Sequence, residues 1–149
     1  MLTWGKWLTV ALLTQNAVGA NLFSGHWTAD VLASRFNGAV AVKMATLEFV
    51  VTSETVIITN HAIDNFNRDV DTGATTLRTD GESHEHDELL PGLTVIARWR
   101  GPRLLDTVLT RTNGIVDHVT YEIFDDAKTL TTKTVGSLGT QEIVFHRDR

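Results

Sequence analysis

An all-β fold, a single antiparallel barrel of eight to ten strands, is what this sequence predicts. Three observations carry the prediction. Short alternating segments rich in threonine and valine succeed one another through the second two thirds of the chain, and β-branched side chains suit a pleated surface better than a helix. Turn-forming residues separate those segments at regular intervals. No helical period interrupts them after residue 40. Sequential hairpins without a long crossover favour an up-and-down barrel, which also removes the exposed strand edges that an open sheet would leave.

The elements follow in order. Gly25–Phe36, GHWTADVLASRF, is the opening strand and the segment that follows it. Thr46–Val51 is a strand that places Leu47, Phe49 and Val51 on one face, and Ser53-Glu54 turns it into Thr55–Asn60. The stretch Asn60–Gly73 is polar and reads as a loop over a barrel mouth, and its Asp64, Asp69 and Asp71 do not match the spacing of a calcium loop. Thr75–Thr79 is a short strand, returned by Asp80-Gly81 into Glu82–His86. Leu93–Trp99 carries Val95, Ala97 and Trp99 on one face and Thr94, Ile96 and Arg98 on the other. Arg103–Arg111 and Ile115–Phe124 are joined across Asn113-Gly114, a strong two-residue hairpin signal because both residues tolerate positive φ. Asp125–Lys128 then turns into Thr129–Val135, and Gly136 and Gly139 bracket the last turn before Thr140–His146.

Composition narrows the function. The 149 residues suit one domain with its own core, and the absence of cysteine excludes disulfides, thiolate catalysis and cysteine-held metals. A net charge of −5 with scattered basic residues argues against a nucleic-acid partner, and no apolar run approaches membrane-spanning length. Residues 1–20, MLTWGKWLTVALLTQNAVGA, place one cation before an apolar run and end in small residues. That is the layout of a secretory signal peptide, with a short N-terminal helix as the alternative. The barrel domain is then 21–149. The protein is secreted or periplasmic if the leader is cleaved and cytoplasmic otherwise.

Several of these stretches carry a family resemblance. GHWTADVLASRF, ATLEFVV, TLRTDGES, RTNGIVDHVTYEIFDDAKTLTTKT and EIVFHR, in that order, resemble small bacterial lipocalin-like (calycin-like) barrel proteins, most of which have no assigned activity. The resemblance spans roughly Gly25 to Arg147 and implies a closed barrel that binds a small, often apolar, ligand in a central cavity. It also implies that the early tryptophan, Trp27, closes one end of the barrel, its ring sealing the core and its indole N–H bonded to a polar partner.

The leading expectation is therefore binding of a lipid, isoprenoid or similar molecule in the barrel. The alternative is a cofactor-free isomerase, cyclase or hydratase in the same cavity. His118, Asp106 and Tyr121 are the candidates for proton transfer. A two-residue turn at Asn113-Gly114 would oppose Thr112 to Ile115, pairing Leu109 with His118 and Asp106 with Tyr121. Asp106 and His118 would then lie on opposite faces, which argues against a direct dyad. Trp99 and Phe49 are candidate apolar ligand contacts, and Arg98 and Arg103 are candidate partners for a ligand carboxylate. His84 and His86, in HEHDE, point the same way on a strand and could join a carboxylate around a metal. A solvated strand end is the preferred reading, and no metal or cofactor is assigned. The expected partner is a small hydrophobic molecule, with a homodimer left open.

Overall fold

The computed structural model describes residues 22–38 and 41–149, so the reading of residues 1–20 as a leader or helix lies outside the described residues. Ten strands form one continuous antiparallel sheet: β1 (Gly25–Arg35), β2 (Val42–Val51), β3 (Thr55–Asp64), β4 (Asp69–Arg78), β5 (Asp80–Glu85), β6 (Thr94–Trp99), β7 (Leu104–Thr110), β8 (Val116–Ile123), β9 (Thr129–Gly136) and β10 (Gly139–Arg147). Every strand pairs with its neighbours in sequence except at one place, and β1 also pairs with β10. The sheet therefore curls into a nearly closed barrel. Its seam lies between β4 and β5, which share no hydrogen-bonded ladder although only Thr79 separates them. No helix occurs among the described residues.

Strand registers show how the inside is built. Ala29, Phe145, Leu130 and Ile123 form one inward-facing row across β1, β10, β9 and β8. The next row runs Trp99, Leu105, Tyr121, Thr132, Ile143. The one after it runs Ala97, Thr107, Val119, Thr134, Gln141. Each row is one step further along the barrel, and the steps go from wholly apolar to half polar. One end is thus a packed core and the other is not.

The packed end is centred on Phe23, Trp27, Phe49, Leu105, Ile123 and Leu130, all essentially solvent-free. Burying each of these side chains contributes about 1.5–3 kcal/mol. Trp27 does what the family resemblance implies. Its Nε1 donates to the Phe23 carbonyl at 3.0 Å, and the Arg147 guanidinium lies over the ring, 4.1 Å from its centroid. Arg147 also donates to the carbonyls of Leu22, Ser24 and Ala127. It thereby ties the chain entering β1 and the β8–β9 turn to the last strand. Gly25 lies between them with φ of +124°, and a side chain there would press on the guanidinium.

Two local expectations are corrected. The polar stretch Asn60–Gly73 is mostly strand: β3 continues to Asp64, β4 begins at Asp69, and only the turn between them is irregular. Asp64 holds that turn. Its buried carboxylate accepts the backbone N–H groups of Phe66 and Arg68 at 2.8 and 2.9 Å and the Arg68 side chain at 2.7 and 2.8 Å. Burial opposes the charge, but the bonds from Arg68 and Phe66 outweigh it and hold the carboxyl below the usual range.

The second correction concerns the β7–β8 hairpin. Gly114 N donates to Arg111 O, Arg111 N donates to Ile115 O, and Gly114, not Asn113, has positive φ. The loop is a three-residue turn with a glycine bulge. The extra loop residue moves the register by one, so that Val108 faces His118, Asp106 faces Thr120 and Leu105 faces Tyr121.

Candidate functional site

A cavity of about 530 Å³ occupies the less tightly packed half of the barrel. Its lining is mainly apolar: Leu47, Ile58, Leu77, Val95, Leu109, Val119, Ile143 and Phe145 among others. A polar set is distributed over it, with Thr107, Thr132, Thr134 and Tyr121 inside and Asn60, Asp71 and Gln141 towards the open end. The parity of the strands explains this set. On β4, stepping back by twos from buried Leu77 gives Thr75, Gly73 and Asp71, and these pair with Ile58, Asn60 and Ala62 of β3. Asp71 is an inward-facing residue near the seam, where the missing β4–β5 ladder leaves it exposed.

Tyr121 is enclosed by protein while one side faces the cavity. Its ring meets Phe49 edge to face, 5.6 Å between centroids. Burial first, and then the negative charge of Asp71, push its hydroxyl up to about 12, and no hydrogen bond among the described residues contributes. The hydroxyl is a neutral donor at any physiological pH. Thr107 is committed elsewhere, its Oγ1 donating to the Val119 carbonyl at 2.8 Å. No lysine or arginine lines the cavity among the described residues.

The candidate catalytic residues are split between the two sides of the wall. His118 and Asp106 belong to the outward-facing rows, and Tyr121 belongs to an inward-facing one. The register shift brings the first two together, against the expectation of opposite faces: His118 Nε2 donates to Asp106 Oδ1 at 2.5 Å. It also separates Asp106 from Tyr121. The Asp106 carboxylate is covered by its neighbours, with Arg100 Nε at 3.3 Å and Arg98 Nε at 3.8 Å from Oδ2. The result is a polar cluster on the outer wall, with its back to the cavity.

None of the four candidate ligand contacts lines the cavity. Phe49 and Trp99 face inward but belong to the packed end, where each meets Phe23 edge to face at 5.6 and 5.0 Å. Arg98 lies outside, on Asp106. Arg103 donates to the Phe124 carbonyl at 2.5 Å and lies 3.7 Å from Asp125, at the β8–β9 turn.

The residues of HEHDE build the β5–β6 connection. His84 Nε2 bonds the Asp80 carboxylate at 2.9 Å, which the Glu82 N–H and then His84 hold below its ordinary range. His86 is buried, its Nδ1 bonds Glu88 at 2.6 Å, and its backbone N–H donates to Leu93 O. Asp87 accepts the Gly92 N–H at 2.7 Å. The two histidines have different carboxylate partners. Among the described residues no three His, Asp or Glu side chains are gathered as for a metal ion.

The residues that the sequence reading did not place in a ligand site are Asp71, Asn60, Thr132, Thr134 and Gln141. The signal for Asp71 was present in the parity from Leu77, but β4 has no apolar alternation to announce a strand. Its inner face lines a polar mouth and its outer face meets water.

Comparison with known proteins places the fold. No family model matches the chain and no curated protein matches it by sequence. Solved structures do match over most of the chain. The wild-type fluorescent protein UnaG superposes with a TM-score of 0.63 at 13% identity, over 87% of this chain and 99% of that one. A REP1-NXSQ fatty acid transporter gives 0.64 at 10%, over 87% and 98%. A Schistosoma mansoni fatty acid binding protein in complex with arachidonic acid gives 0.60 at 11%, over 88% and 99%. These neighbours do not extend the bacterial part of the resemblance and lend no support to a homodimer, but they agree with the strand topology: this chain has a calycin-like β-barrel fold.

Proposed function

We propose that the protein binds a small, largely apolar molecule, a lipid, isoprenoid or similar, inside the barrel. The observation that carries this reading is the cavity itself. Its volume of about 530 Å³ lies within the roughly 300–1,000 Å³ of ligand sites. Its wall is mostly aliphatic, with a few hydroxyl, amide and carboxylate groups to orient a head group. The barrel neighbours include a fatty acid transporter and a fatty acid binding protein holding arachidonic acid, which supports an apolar occupant by analogy of fold. The enzyme alternative has less support, because of its three candidate residues only Tyr121 lines the cavity while His118 and Asp106 point away from it.

The test is a homologous series of saturated lipids competing with an environment-sensitive dye for the purified protein. Each buried methylene contributes about 0.8 kcal/mol, so affinity is expected to rise about fourfold per carbon until the cavity is full, and then to level off. A series that is flat from its shortest member, or that never displaces the dye, would refute internal binding.

A further inference from the structure

We infer that the cavity selects a lipid with a neutral, hydroxyl-bearing head group over one ending in a carboxylate. The inference rests on the reading of the cavity as a lipid site and concerns its head-group end. Two groups of the lining bear on it, one deeper in the cavity and one towards its open end. Tyr121 presents a phenolic hydroxyl to the cavity from β8, and Asp71 presents a carboxylate from β4. Both line the same cavity, and burial, with the negative charge of Asp71 added to it, keeps the Tyr121 hydroxyl protonated.

Three charged pairs near the mouth are already formed. His61 bonds Asp69 at 2.9 Å, Arg111 bonds Asp117 at 3.1 Å, and Arg68 bonds Asp64 at 2.7 Å. A carboxylate-ended lipid would bring a second negative charge towards Asp71, with no lysine or arginine in the lining to meet it and the one lining histidine, His61, already bonded to Asp69. An alcohol carries no charge, accepts a hydrogen bond from a donor such as Tyr121 and donates one to an acceptor such as Asp71. The chemistry of the wall therefore suits a lipid alcohol or a glycerol-type head, although fatty-acid proteins are among the fold's neighbours.

The experiment compares a saturated primary alcohol with the fatty acid of equal chain length, by dye displacement at neutral pH, in the natural chain and in Asp71→Asn and Tyr121→Phe. Two like charges at close range in a partly screened site differ from a neutral pair by about tenfold or more in affinity, so the alcohol is expected to bind at least that much better. Asp71→Asn, on an exposed edge strand, is expected to close most of the gap by improving the acid. Tyr121→Phe is expected to weaken the alcohol by several-fold. Equal or tighter binding of the acid, or a gap unchanged in Asp71→Asn, would overturn the inference while leaving lipid binding intact. Failure of both lipids to displace the dye would remove the underlying reading as well.

Discussion

Asp64 shows how a single residue can hold a strand end in place. Its carboxylate is almost solvent-free and accepts two backbone N–H groups and the Arg68 guanidinium. Those bonds hold its folded pKa below the unfolded value. A depressed carboxylate contributes stability that is fully present above the unfolded pKa, about 4, and is lost as pH falls through the folded value. Asp64→Asn is therefore expected to be less stable than the natural chain at neutral pH, with the difference narrowing below about pH 4. Denaturant unfolding across that range checks this; a difference that stayed constant with pH would show that the charge of Asp64 is not what holds the turn.

At the scale of the element, the β7–β8 hairpin determines which side chains meet. Its one extra loop residue sets the register, and the register decides that His118 reaches Asp106 on the outer wall while Tyr121 faces the cavity. Gly114 makes the turn possible, since its φ of +81° lies in the left-handed region. Gly114→Ala is expected to destabilise the protein by about 1–2 kcal/mol, the strain of a left-handed residue with a Cβ. Gly73 provides the contrast. It lies in β4 without positive φ, and a Cβ there would meet nothing within 4 Å. Gly73→Ala is expected to be neutral or stabilising by up to about 1 kcal/mol, through the unfolded chain. Urea midpoints of the two variants measure this, and equal losses would contradict the turn assignment.

For the whole molecule, the division into a packed end and an open half is what matters. Phe23, Trp27, Phe49 and Leu130 fill one end, while Thr134 and Gln141, two rows along from Leu130 and Phe145 on β9 and β10, line the cavity. A side chain that faces a cavity can grow without the strain that overpacking brings to a filled core. Thr134→Trp is accordingly expected to fold normally by circular dichroism and to bind lipid at least about tenfold more weakly, because the indole occupies volume that the ligand needs. Unchanged affinity would place the ligand somewhere other than this cavity.

A barrel of eight to ten strands and most of its hairpins were legible in the sequence, and the plug at Trp27 followed from the family resemblance; the hairpin expected at Asp80-Gly81 did not form, since β4 and β5 share no ladder. Alternation places Leu47 and Phe49, or Val95 and Ala97, on one face whatever the rest of the chain does, because the period of a strand is local. Closure and a cavity were expected in general terms; the pairing register of β1 on β10, the seam at β4–β5 and the residues that line the cavity were not legible. They depend on residues more than a hundred positions apart, such as Trp27 and Arg147. Local patterning also misjudged two places where polarity and structure part company. Asn60–Gly73 reads as a loop because its strands line a wet mouth. Asn113-Gly114 reads as the tightest hairpin, yet the observed turn includes one residue more. Because side chains alternate at every step of a strand, that one residue exchanges inside for outside. It moved Asp106 onto the face of His118 and away from that of Tyr121, and only the tertiary structure could decide which pair would meet.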